Sequence, residues 1–262
     1  MSEKDPKWRF CWQQLNTTDV EAAKQFYGEL FGWQFSEQEM AGEMYTIFGM
    51  SEDAPLGMFQ TQPSDAPSPP LWIPYVSVPD VADTVGKATA NGGNVLVPTT
   101  AIPDAGTFAV LADPDGAVFA IWATANPDQE QPMPTGNNIP VWYELMSPDP
   151  AKSASFYNAL FGWGHEEFPM PEGDPYNIFK LGEEGIAGFM RIPTMGPGDP
   201  PPPMWTIYVN VEDADATFAK AESLGARILF GIMEVPTVGR FAGFMDKAGA
   251  VMAFIQPEPM DN

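Results

Sequence analysis

The feature that most constrains this chain is that it is written twice. Phe26-Tyr27-Gly28-Glu29-Leu30-Phe31-Gly32-Trp33 recurs as Phe156-Tyr157-Asn158-Ala159-Leu160-Phe161-Gly162-Trp163. Trp12, Leu15 and Asp19 precede the first copy as Trp142, Leu145 and Asp149 precede the second, and Tyr45 and Phe48 follow it as Tyr176 and Phe179 do. Farther on, Trp72, Tyr75, Val76 and Val78 match Trp205, Tyr208, Val209 and Val211, while Asp113 and Gly116 match Asp246 and Gly249. Ordered self-similarity of this kind means a duplicated folding unit, and 262 residues allow two domains that each bury a core.

The polar, proline-rich run 126–138 can continue neither a helix nor a central strand, so it reads as the linker between a first domain, 1–125, and a second, 139–257. Two further proline-rich stretches, 63–70 and 193–203, cut each half near its middle and divide it into two units. In each unit a short strand is followed by a helix and then by more strands. Asp19 is a helix-capping residue type, Val20, Ala23, Phe26, Tyr27 and Leu30 share one helical face, and Gly32 is placed to end the helix. Segments 81–91 and 214–224 read as the helices of the second units. Asp113-Pro114-Asp115-Gly116 and Asp246-Lys247-Ala248-Gly249 read as hairpin turns leading into strands 118–122 and 251–255.

Charge narrows the range of partners. Lys and Arg number 12 against 35 Asp and Glu, a formal net charge of −23, so a phosphate backbone or an anionic membrane surface is repelled. The single cysteine, Cys11, permits no intramolecular disulfide. The N-terminus lacks the apolar core of a signal peptide, and no apolar run approaches the roughly 20 residues of a membrane helix. The expectation is a soluble cytoplasmic protein without nucleic-acid or membrane partners.

The Phe-Tyr-x-x-Leu-Phe-Gly-Trp helix end and the Asp-Pro-Asp-Gly hairpin resemble signatures of the vicinal oxygen chelate superfamily, the glyoxalase, bleomycin-resistance and dioxygenase group. The resemblance covers nearly the whole chain and is nearest to the tandem glyoxalase-like branch related to lactoylglutathione lyase. It implies an α+β fold of two tandem glyoxalase-like domains, each made of two βαβββ modules that form a half-open barrel around a ligand cavity. It also implies that the tandem copies supply module pairing within one chain, so that a monomer is expected.

In metal-dependent members of that group, ligands lie on the first and later strands of each module. Carried onto this chain, those positions are Trp12 and Trp142, then Ile73 or Trp72 and Thr206 or Trp205, then Ala120 and Ala253, with no carboxylate in 57–60 or 188–191. The inventory agrees independently, because zinc and iron sites draw chiefly on His, Cys and carboxylates and this chain has one His and one Cys. An all-carboxylate Mg²⁺ or Ca²⁺ site stays open as an alternative. The expectation is no metal and no cofactor. His165 is expected at the surface.

Strand alternation puts Trp12 with Gln14, and Trp142 with Glu144, on one face. Together with Trp72, Tyr75, Trp205, Tyr208 and Arg240 these are the expected ligand-binding residues, lining aromatic cavities that suit a flat or cationic small molecule. The opposing expectation is that the aromatics simply fill the core. Two functions follow. One is metal-independent small-molecule binding, of a sequestering or resistance type; the other is a metal-free enzyme of lyase or hydroxylase type with Glu144 as acid or base. Glu144 pairing structurally with Arg191 or Arg240 is the alternative to that catalytic role.

Overall fold

The computed structural model describes residues 7–40, 42–66, 68–127, 134–170, 173–193 and 200–258. Four βαβββ modules follow one another along them. The first is β1 (Phe10–Thr17), α1 (Val20–Phe31), β2 (Gln34–Met40), β3 (Glu43–Ser51) and β4 (Ala54–Thr61), and the second is β5 (Leu71–Ser77), α2 (Val81–Ala90), β6 (Asn94–Ile102), β7 (Gly106–Ala112) and β8 (Val118–Thr124). The third is β9 (Pro140–Ser147), α3 (Pro150–Phe161), β10 (Gly164–Phe168), β11 (Tyr176–Leu181) and β12 (Glu184–Arg191), and the fourth is β13 (Met204–Asn210), α4 (Ala214–Ser223), β14 (Arg227–Val235), β15 (Gly239–Met245) and β16 (Val251–Pro257). Backbone pairing orders the strands β2-β3-β4-β1-β5-β8-β7-β6 in one sheet and β10-β11-β12-β9-β13-β16-β15-β14 in the other, and neither closes into a barrel. Parts of the expected linker and of the second proline-rich stretch, 128–133 and 194–199, lie outside the described residues.

Local chemistry explains the elements. Each helix starts at an aspartate whose carboxylate accepts a backbone N–H three residues on: Asp19 from Ala22, Asp80 from Asp83, Asp149 from Lys152 and Asp213 from Ala216. Helices α1 and α3 end at Gly32 (φ 74°) and Gly162 (φ 70°), where the left-handed backbone favours glycine. In both hairpins one aspartate oxygen gathers three backbone donors. Asp113 Oδ1 accepts from Asp115, Gly116 and Ala117, and Asp246 Oδ1 from Ala248, Gly249 and Ala250, all at 2.8–2.9 Å.

The compact units do not follow the two halves of the sequence. One contains α1 and α4 and takes Trp12–Ile73, Met133–Val141 and Thr206–Asn262; the other contains α2 and α3 and takes Met1–Cys11, Pro74–Pro132 and Trp142–Trp205. Each unit thus joins a module of one half to a module of the other, so the sequence domains and the packed bodies are different objects. Helix packing supplies the reason, with α1 against α4 in the first and α2 against α3 in the second.

A buried polar clamp repeats in both. In the α1–α4 unit, Tyr27 donates to Asp246 Oδ2 (3.0 Å) and accepts from the Trp72 indole (3.0 Å). In the α2–α3 unit, Tyr157 donates to Asp113 Oδ2 (3.3 Å) and accepts from the Trp205 indole (2.9 Å). The helix signature of one half therefore bonds to the hairpin signature of the other. Each aspartate then ties its own turn through one oxygen and the partner module through the second. Rings complete the cores: Tyr27, Phe31, Trp33, Phe48, Phe59 and Trp72 in one unit, Tyr157, Phe161, Trp163, Phe179, Phe189 and Trp205 in the other. No helix among the described residues is long and apolar enough to cross a membrane.

Candidate functional site

The first strands of the two halves carry the candidate site, and pairing fixes which way their side chains point. In the α2–α3 unit β9 runs parallel to β12, with Glu144 opposite Gly188 and Leu145 opposite Phe189. Leu145 and Phe189 are fully buried on the side covered by α3, so alternation sends Trp142 and Glu144 to the opposite face. In the α1–α4 unit β1 runs parallel to β4, with Gln14 opposite Met58 and Leu15 opposite Phe59, and Trp12 and Gln14 share the equivalent face. Trp12 and Trp142 are half-buried, while Gln14 and Glu144 are 4% and 7% exposed.

Around Glu144 two side chains converge. Trp142 Nε1 donates to the Tyr176 hydroxyl at 3.1 Å, and the same hydroxyl hydrogen-bonds the Glu144 carboxylate. Burial first, and then the negative charge of Glu144, push the Tyr176 phenol well above its ordinary range. The phenol therefore stays protonated and donates to the carboxylate. Gly188 makes the arrangement possible, since a Cβ there would lie 1.8 Å from the Tyr176 hydroxyl oxygen and 2.5 Å from Cζ. Sequence reasoning used Tyr176 only as a repeat marker and missed Gly188. The available signal was that the halves keep Tyr45 and Tyr176 but exchange Gln14 for Glu144 on one strand and Met58 for Gly188 opposite it.

The Gln14 face is wired differently. Gln14 Nε2 donates to Asn16 Oδ1 and Gln60 Oε1, both at 2.6 Å, which makes a network of neutral amides.

Several expected ligand contacts take other roles. Trp72 and Trp205, 2% and 3% exposed, face the helices with their indole N–H groups committed to Tyr27 and Tyr157, so they are core and do not line a cavity. The register of β5 and β13 puts Trp72 and Trp205 on the helix side, and alternation sends Tyr75 and Tyr208 to the other face, where both are buried and Tyr208 packs edge-on to Phe241. Arg240 is held by Asp215 at the start of α4 through two hydrogen bonds of 2.6 and 3.0 Å. Arg191 pairs with Asp174 at 2.6 Å, so neither arginine is the ion-pair partner of Glu144. His165 is exposed, as expected, and edges a groove of about 550 Å³ between α3 and β10–β12 that Arg191 and Asp174 also line.

The positions the resemblance assigned to metal ligands do not suit a metal. Trp12, Trp142, Ile73, Ala120 and Ala253 offer no donor of the right kind, and Thr206 offers one buried hydroxyl, which has no hydrogen-bond partner among the described residues. Among the described residues no three His, Cys, Asp or Glu side chains are grouped to hold an ion.

A family model described as "Glyoxalase/Bleomycin resistance protein/Dioxygenase superfamily" matches residues 10–121 and 139–254. "Putative glyoxylase CFP32" of Mycobacterium tuberculosis is 34% identical over 252 residues, covering 95% of this chain and 94% of that one. "Anthracycline biosynthesis protein DauV" of Streptomyces sp. strain C5 is 26% identical over 260 residues, covering 94% and 92%. Among solved structures, the Mn(II)-bound glyoxalase from Novosphingobium aromaticivorans superposes with a TM-score of 0.66 at 16% identity, covering 98% of this chain and 84% of that chain, a likeness of fold.

Proposed function

Because the chain belongs to the glyoxalase/bleomycin resistance protein/dioxygenase superfamily, we propose that it is a metal-independent small-molecule-binding member whose ligand lies against Trp142, Glu144 and Tyr176. The observation that carries this reading is the Trp142–Tyr176–Glu144 cluster, built on the strand face where the family places its chemistry but with aromatic groups in place of metal donors. An indole and a phenol beside one acceptor suit a planar aromatic body held by stacking and oriented by a single polar contact. DauV is named for anthracycline biosynthesis, and an anthracycline is such a body. Holding the molecule without converting it is a sequestering, resistance-type role.

A second reading is favoured by one specific feature. A carboxylate with a phenol hydrogen-bonded to it is a proton-transfer pair, so Glu144 as acid or base in a metal-free enzyme is the alternative. Titration of the purified chain with an anthracycline, followed by tryptophan emission and by chromatography of the small molecule, separates the two. Binding predicts saturable quenching at about one ligand per chain, unchanged after exhaustive chelation, with the molecule recovered intact. Loss of the response on chelation and its return with added divalent metal would overturn metal independence, and a new product would decide for the enzyme.

A further inference from the structure

The helix-facing side of the sheets carries a second contrast between the copies, independent of the Trp142 face. In the α1–α4 unit Lys24 bridges α1 to β2: its ammonium donates to Glu21 at 2.9 Å and to Glu37 at 3.3 Å, and the Thr46 hydroxyl donates to the same Glu37 carboxylate at 3.0 Å. Strand pairing and helix caps fix the counterparts in the α2–α3 unit. Glu37 stands opposite Thr46 as Glu167 stands opposite Asn177, and Lys24 lies at the same distance along the chain from the Asp19 cap as Ala154 does from Asp149. Ala154 thus replaces the lysine, and Ala151 replaces Glu21. Small side chains on that helix face leave the groove of about 550 Å³ between α3 and β10–β12, where Ala151, Ala154, Glu167, Asn177 and Phe189 form part of the lining.

We propose that this groove binds an aliphatic primary amine, whose ammonium takes beside Glu167 and Asn177 the place that the Lys24 ammonium takes beside Glu37 and Thr46. The polar end is built to receive a donor. Glu167 keeps the carboxylate of Glu37 but has no ion pair or side-chain hydrogen bond among the described residues. Asn177 is 5% exposed and donates its amide N–H groups to the carbonyls of Pro175 (3.1 Å) and Phe189 (3.4 Å), so its Oδ1 remains as an acceptor that no donor among the described residues reaches. An ammonium, with three donors and no acceptor, complements a carboxylate and an amide oxygen. The other walls suit methylene groups. Ala154 is 6% exposed and Phe189 1%, with the His165 ring edge-on to Phe189 at 5.9 Å. The cationic side chains of β11 and β12 are already paired, Lys180 with Glu166 and Arg191 with Asp174, so neither supplies the charge that Lys24 supplies in the other unit. A net charge of −23 draws an amine toward the chain and disfavours an anion.

The chain provides its own reporter, because His165 is its single histidine and edges the groove, so one imidazole signal in the proton NMR spectrum of the full chain reads the site. The probes are hexylamine and hexan-1-ol, of equal chain length, titrated at constant ionic strength and at about pH 8, where an alkylamine stays protonated. Hexylamine should shift the His165 signal saturably and bind about tenfold more tightly than the alcohol, as a charge-assisted contact predicts. Glu167→Gln removes the charge from an exposed side chain and should bring the two affinities within about twofold of each other. Ala154→Lys restores the arrangement of the first copy and should abolish the amine response by filling the site from within the chain. Equal affinities of the wild type for the two probes, an amine preference that survives both substitutions, or no saturable shift of the His165 signal overturns the inference.

Discussion

The Gln14 face and the Glu144 face are the same piece of backbone built twice, yet one carries a network of amides and the other a carboxylate bonded to a phenol. Their strands pair in the same register, their tryptophans are half-buried alike, and each retains a tyrosine one strand beyond its paired neighbour. Two exchanges account for the difference. Glu144 for Gln14 supplies the charge, and Gly188 for Met58 supplies the space in which a phenol reaches it. Duplication preserves the framework while letting one copy change chemistry: the Tyr–Asp clamp is common to both copies, whereas Glu144 and Gly188 stand where the first copy has Gln14 and Met58.

That division can be broken experimentally. The largest expected effect falls on the shared clamp, where Asp113→Ala and Asp246→Ala each strip three backbone N–H groups and a tyrosine hydroxyl of their acceptor. Each should cost about 3 kcal/mol or more in denaturant unfolding, and by similar amounts. Strongly unequal losses would show that the two frameworks are not equivalent.

A smaller effect should appear in alkali. Burial, followed by the nearby Asp246, Asp113 and Glu144 charges respectively, holds Tyr27, Tyr157 and Tyr176 well above the ordinary phenol range in the folded chain. The stabilisation these phenols contribute is complete below about pH 10, the unfolded phenol value, and is lost as pH rises from there through the folded values. Unfolding free energy should therefore fall steeply above about pH 10, and Tyr157→Phe should make the fall shallower. A pH-independent plateau in that range would contradict the buried donor geometry.

The smallest effect belongs to the sites. Gln14→Glu puts a carboxylate against two amide oxygens, and those amides can flip to present N–H, which limits the cost to about 1 kcal/mol in thermal unfolding. A loss of several kcal/mol would show that the Asn16 and Gln60 amides cannot turn to meet the carboxylate.

Much of this molecule is set by the sequence by itself. The repeat of Phe26–Trp33 at Phe156–Trp163 requires duplicated modules, the aspartate caps and terminal glycines mark helices within a residue or two, and Asp113 and Asp246 announce their hairpins, because each of these signals is complete within a few neighbouring residues. One histidine and one cysteine likewise limit metal chemistry before any folding is considered. Only the tertiary structure decided which side of a strand Trp72 and Trp205 occupy, since alternation gives two faces but the pairing partner and the covering helix choose between them. It also decided that each compact unit joins modules from both halves, because Tyr27 meets Asp246 and Tyr157 meets Asp113 across long stretches of chain that no local pattern encodes. The role of Tyr176 was hidden for the same reason: its contact with Glu144 depends on a missing side chain at Gly188, on a strand that pairs with both of theirs, and only folding brings the three together.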